Sequence, residues 1–184
     1  MSISRCQVAP LMAVTIMALT VGVAVPGELA SSSRSSRKPA LERPRPIPEG
    51  PSWNLPPGGI DWANLKGRVV IVDFWSRKCG PCLKAIPELI EFRAKSDGQV
   101  EIVGLHVGMA TPGDVERTVR EMKIPYPVVM LPIPLFDDVD EANDWGVGTY
   151  LPSVALVDRK GRVRYTDLDP KTSIRRVKEL LAER

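Results

Sequence analysis

The spacing of apolar positions changes several times along this chain, and each change marks a different kind of element. Val8 to Val25 is apolar almost throughout, with Thr15 and Thr20 as its hydroxyls and no charge. Ser31 to Gly59 shows no apolar periodicity at all. Val69-Val70-Ile71-Val72-Asp73-Phe74-Trp75 is a β-branched run of strand length, apolar on both faces as a covered central strand should be. Leu83, Ile86, Leu89, Ile90 and Phe92 then recur at helical spacing against Lys84, Glu88, Glu91 and Arg93, and Asp97-Gly98 ends the pattern. Val100 to Val107 predicts a second strand, Val115 to Met122 a helix with Asp114 near its start, and Val128 to Met130 a short strand. Pro132 and Pro134 interrupt regular structure, and Asp138 to Trp145 predicts a short helix. Ser153 to Val157 predicts a strand, Asp158 to Gly161 a hairpin turn and Arg162 to Tyr165 its partner. Ile174, Val177, Leu180 and Leu181 form one face of a closing helix, with Thr172 as its candidate N-cap. Alternating strands and helices followed by a hairpin and a helix predict an α/β sandwich with a mixed sheet.

The first thirty residues have the layout of a targeting segment: Arg5 in a short polar start, the apolar run, and then Pro26, Gly27 and the small Ala30. The length of the run fits either a cleaved signal peptide or an uncleaved membrane anchor. Both place the rest of the chain outside the cytoplasm, periplasmic or secreted and in the second case tethered. Residues 31–59, rich in Ser, Pro and Arg, cannot bury enough surface to offset their ordering entropy and are expected to form a flexible tether. Trp53, Leu55, Ile60, Trp62 and Leu65 are where the chain is expected to begin docking onto the domain, taken as 60–184. A net charge of +3, with both signs mixed along 184 residues, argues against nucleic acid as a partner and leaves membrane contact to the N-terminal segment.

Three cysteines are too few for a disulfide-stapled mini-protein. Cys6 stands apart, and Cys79 and Cys82 form a C-x-x-C pair between the first strand and the helix that follows it. A cysteine there meets unpaired helix N–H groups and the positive end of the helix dipole, which stabilise a thiolate. Thiols in such places ionise between about 3.5 and 7.5 instead of near 8.5. The thiolate attacks a partner sulfur, and Cys82, one turn on and buried beneath, resolves the mixed disulfide. Gly80-Pro81 sets the turn, with proline tolerated in the first helical turn. A zinc half-site would need two further ligands, and His106 is the single histidine. His106, between Leu105 and Val107, is expected to be a packed or solvated strand residue rather than a catalytic one. No metal and no cofactor are expected.

Val72-Asp73-Phe74-Trp75 followed by Cys79-Gly80-Pro81-Cys82 resembles the thioredoxin active-site signature. Pro87 matches the proline that kinks the thioredoxin active-site helix, and Leu151-Pro152 before Ser153 to Asp158 resembles the cis-proline and the strand after it. Ile124-Pro125-Tyr126-Pro127-Val128 and Trp145-Gly146-Val147 look like the TlpA/ResA-like branch of that superfamily. The resemblance covers about residues 60–183 and implies a thioredoxin-like α/β/α sandwich. It implies Cys79 as nucleophile, Cys82 as resolving thiol and Asp73 as a buried carboxylate that moves protons for Cys82. It also implies a redox-active disulfide between the two cysteines. Trp75, Gly80, Pro81, Leu151 and a cis Pro152 would then form the surface that receives a substrate. Departures are Lys78, where the family often has tryptophan, and Asp73, where the TlpA/ResA-like branch commonly has asparagine. The Leu131 to Leu135 stretch has no counterpart.

These features predict a thiol–disulfide oxidoreductase acting on cysteine-containing proteins, a protein-disulfide reductase supplied by an upstream thiol electron donor, with a monomeric domain. The other readings are a thioredoxin-fold binding module without turnover and a copper-handling protein, the latter without a matching downstream histidine.

Overall fold

The computed structural model describes residues 43–44, 46–47, 49–131 and 150–183. The N-terminal apolar run, most of the tether, residues 132–135 and the helix expected at Asp138–Trp145 lie outside them. No helix among the described residues is long and apolar enough to cross a membrane.

The elements in chain order are β1 (Ser52–Trp53), α1 (Trp62–Leu65), β2 (Val69–Trp75), α2 (Gly80–Ala94), β3 (Val100–His106), α3 (Pro112–Glu121), β4 (Val128–Met130), β5 (Ser153–Val157), β6 (Val163–Leu168) and α4 (Pro170–Ala182). They build one six-stranded sheet of order β1-β4-β3-β2-β5-β6. β2 pairs parallel with β3 and antiparallel with β5, so the sheet is mixed, and all seven β2 residues are buried. Residues 69, 71, 73 and 75 point to one face, where Val69, Ile71 and Trp75 join Ile86 and Leu89 of α2, Val115 and Val119 of α3, and Val177 and Leu180 of α4. On the other face Val70, Val72 and Phe74 pack with Val103, Leu105, Ala155 and Val157, and Ile47, Ile60, Trp62 and Leu65 cover them. This is the thioredoxin-like α/β sandwich.

Several boundaries differ from those the sequence predicts. Ser52–Trp53, within the stretch expected to be a tether, pairs antiparallel with Val128–Val129 as an edge strand. The Asn54 side chain adds a 2.6 Å hydrogen bond to the Ile124 carbonyl. α3 starts at Pro112 with Thr111 as cap; its hydroxyl accepts the Asp114 N–H and donates to the Asp114 carboxylate. The cap of α4 is Asp169, not Thr172: the Asp169 carboxylate accepts the Thr172 N–H at 3.0 Å, and Pro170 takes the first helical position, where no N–H is needed. β6 runs to Leu168, three residues beyond the expected Tyr165.

Candidate active site

β2 ends at Trp75, and residues 76–79 lead straight into α2. Cys79 is the N-cap of α2, in extended backbone (φ −92, ψ 95), with Pro81 in the first turn. Its Sγ accepts the Cys82 backbone N–H at 3.1 Å, so one orphan donor of the helix start already points at the sulfur that would carry charge. Cys79 and Cys82 form a disulfide. Their exposures differ: Cys79 is half-buried between exposed Lys78 and Gly80, whereas Cys82 is 2% exposed. An incoming sulfur therefore meets Cys79 first. Gly80 and Pro81 are both exposed beside it.

Leu151-Pro152 has a cis peptide bond, the isomer the resemblance implies. Ser153, the next residue, pairs with Phe74, which sets Pro152 beside the end of β2 from which the cysteine loop departs. Leu151 packs against the core clusters on both faces of the sheet. Trp75, expected to help form the receiving surface, is 0% exposed, so it has no surface to offer a partner. Its indole is instead an internal support, meeting the His106 ring edge-on at 4.9 Å.

Asp73 lies on the helix-covered face of β2 and is 2% exposed. Burial lifts its carboxyl from an ordinary 3.8 to about 7, because the charged form loses its hydration. It is therefore a group that can gain or lose a proton near neutral pH. Its neighbour in β3 is Gly104. A Cβ on Gly104 would lie 3.2 Å from Trp75 Nε1 and 3.3 Å from Tyr126 Cε2, so both rings fill the space that this missing side chain leaves. Trp75 Nε1 and the Tyr126 hydroxyl are buried without a hydrogen-bond partner among the described residues. Burial, reinforced by the Asp73 charge, pushes the Tyr126 hydroxyl well above its ordinary value. In the sequence Tyr126 is marked only by its position between Pro125 and Pro127, just before β4.

His106 ends β3 opposite Trp75 and is fully buried. Its Nε2 accepts the Arg77 backbone N–H at 3.3 Å. Burial, aided by the Arg77 guanidinium, pushes it down to about 4, so the ring is neutral at physiological pH. Its Nδ1 is buried without a hydrogen-bond partner among the described residues. Among the described residues no three His, Cys, Asp or Glu side chains come together as a metal site.

Known proteins resemble this chain in sequence and in fold. Over 125 residues the chain is 29% identical to Protein DipZ of Mycobacterium bovis and of Mycobacterium tuberculosis, covering 61% of this chain but 16% of DipZ. It is 30% identical over 121 residues to Thiol-disulfide oxidoreductase YkuV of Bacillus subtilis, covering 61% of this chain and 77% of YkuV. The solution structure of a thioredoxin-like protein in the oxidized form superposes with a TM-score of 0.62 at 25% identity, covering 78% of this chain and 97% of that one. Residues 45–181 match the Redoxin family profile, a span that takes in β1, the C-x-x-C and the cis-proline alike, and the chain belongs to the Redoxin family.

Proposed function

We propose that this protein is a thiol–disulfide oxidoreductase that works on partner proteins through Cys79 and Cys82, in the reducing direction and outside the cytoplasm. The observation that carries this reading is the asymmetry of the pair: a reachable Cys79 sulfur on the helix N-terminus is joined to a buried Cys82, which packs on the same helix-covered face of the sheet that holds Asp73, a buried carboxyl raised to about 7. In the dithiol form the Cys79 thiolate attacks one sulfur of a partner disulfide, and the partner's other sulfur leaves as a thiolate. Cys82 then gives its proton to the Asp73 carboxylate and attacks Cys79 Sγ. The Cys79–Cys82 disulfide forms and the partner leaves with its second thiol. Two electrons pass from the pair to the partner, and an upstream dithiol restores the reduced form. Gly80, Pro81, Leu151 and the cis Pro152 border the point of attack and would guide an extended substrate segment to it. The YkuV name supports the chemistry. The apolar segment Val8 to Val25 supports an extracytoplasmic location, as signal or anchor.

The test is the reduction potential of the pair together with trapping. A couple more negative than about −230 mV supports a reductase, whereas a value near about −120 mV means an oxidant. Cys82→Ser should accumulate a mixed disulfide with its partners. A variant that holds partners only non-covalently would instead establish a binding module.

A further inference from the structure

Between β2 and α2, three consecutive N–H groups each have an acceptor. Lys78 N–H goes to Ser76 Oγ at 3.3 Å and Cys79 N–H to the Ser76 carbonyl at 2.9 Å, so both bonds close within the loop. Arg77 N–H goes to His106 Nε2 at 3.3 Å, on a different strand. The His106 ring is itself fixed. It is fully buried, the Trp75 indole meets it edge-on at an interplanar angle of 87°, and the Leu131 N–H bonds its carbonyl at 2.9 Å. Val107 N–H bonds the Trp75 carbonyl at 2.9 Å, which locks the end of β3 to the end of β2. The Arg77 guanidinium meanwhile reaches toward Asp114 at the start of α3, 4.0 Å away.

We propose that His106 is a positioning residue for the exchange reaction: its Nε2 pins the loop that delivers Cys79 to the N-cap of α2, and so holds the sulfur on the Cys82 N–H. This rests on the exchange reading above. The contact joins a rigid strand end to the backbone two residues ahead of the nucleophile. Without an acceptor the half-buried Arg77 N–H must find a new partner, and a donor left unsatisfied there is costly enough to move a loop. The cap bond from Cys82 N–H to Cys79 Sγ favours the reduced, ionised pair, and a moved loop loosens it. The role belongs to the acceptor atom and not to the ring. Phenylalanine retains the packing against Trp75 but accepts nothing, and glutamine carries an oxygen to nearly the place of Nε2.

The experiment uses the full chain, equilibrated with dithiothreitol, and reads the Cys79 thiolate from alkylation rate against pH. His106→Phe should shift the equilibrium roughly fivefold to tenfold toward the disulfide, about 20 to 30 mV at 29.6 mV per tenfold, and raise the thiol titration. His106→Gln should stay within about twofold of the wild type by the same reckoning. Equal shifts in both variants, or none in either, would overturn the proposal. A direct reading needs no variant: the nitrogen-labelled wild type should show a through-hydrogen-bond coupling between the Arg77 amide nitrogen and His106 Nε2. A proton resident on Nε2 at neutral pH would overturn the proposal as well. A wild-type pair that never exchanges with dithiothreitol overturns the exchange reading and takes this role with it. Unchanged variants of an exchanging protein overturn this role alone.

Discussion

Two buried carboxylates, one within β2 and one just past the end of the neighbouring β5, show how differently one side chain can be used. Asp73 is 2% exposed near the cysteine end of β2, and Asp158 is 6% exposed where β5 turns toward β6. Burial pushes both upward. At Asp158 the Arg162 N–H and guanidinium, the Lys160 N–H and the Arg164 guanidinium outweigh it, and the carboxyl titrates below its ordinary value. At Asp73 burial acts alone and the carboxyl sits at about 7. The hairpin carboxylate thus organises a turn, with Gly161 in positive φ and its N–H on the Asp158 carbonyl. The strand carboxylate costs stability when charged and in exchange is poised to move a proton. Burial with partners builds structure, and burial without them leaves a reactive group.

The comparison breaks most visibly at the hairpin. Asp158→Ala should cost about 3 kcal/mol in urea unfolding, because two N–H groups and two guanidinium groups lose their acceptor together. Exchange by the folded fraction should stay within about twofold, since nothing at the cysteines changes. Loss of exchange in the folded variant would show that the two regions are not separate. Asp73→Asn should do the reverse to activity, slowing steady-state exchange by roughly a hundredfold through the resolving step, as loss of a positioned base does. Equal rates across pH 6 to 8 would remove Asp73 from the mechanism.

A smaller effect sharpens the contrast in stability. The folded pKa of Asp73 is raised, so its favourable contribution is whole below about pH 4 and is lost as pH rises to about 7. Asp73→Asn should therefore lie about 2 kcal/mol below the wild type near pH 4, where the desolvation of the buried amide stands alone, and about 2 kcal/mol above it at pH 8, a total swing of about 4 kcal/mol from the linkage. His106 has the opposite sign. Its folded pKa is depressed to about 4, so its contribution is present above about 6.5 and lost as pH falls through that window. In the wild type the two slopes oppose one another between pH 4 and 6.5. In Asp73→Asn the acid-side loss should stand uncovered, and urea midpoints at half-unit pH steps would show it. Parallel curves for the two proteins would mean that Asp73 is not held neutral. The smallest expected effect is Gly104→Ala, about 1 to 2 kcal/mol of destabilisation from pressing a methyl on the Trp75 and Tyr126 rings. Calorimetry would read it, and an unchanged melting temperature would mean that the rings have room to yield.

Much of the framework was legible because its signals are local. The β-branched Val69–Trp75 run, the helical stripe from Leu83, the Asp158–Gly161 turn and the cysteine pair each declare themselves within a few residues. What escaped depends on distant partners. Ser52–Trp53 carries no strand pattern among its prolines, and Val128–Val129, more than seventy positions on, makes it a strand. Trp75 looks like a surface aromatic from its place beside the cysteines, but the sheet turns it inward against His106. Thr172 and Asp169 both suit a cap, and Pro170 at the first helical position settled the choice.

By itself the sequence determined the order of elements, the mixed sheet and the place of Cys79 at the start of a helix, because periodicity and turn chemistry act over short range. The tertiary structure alone decided that the buried Asp73 has no cation beside it among the described residues, that Gly104 makes room for two rings, and that His106 reaches across from β3 to hold Arg77. Those properties come from which side chains meet across strands, and strand pairing is set by the packing of the whole core.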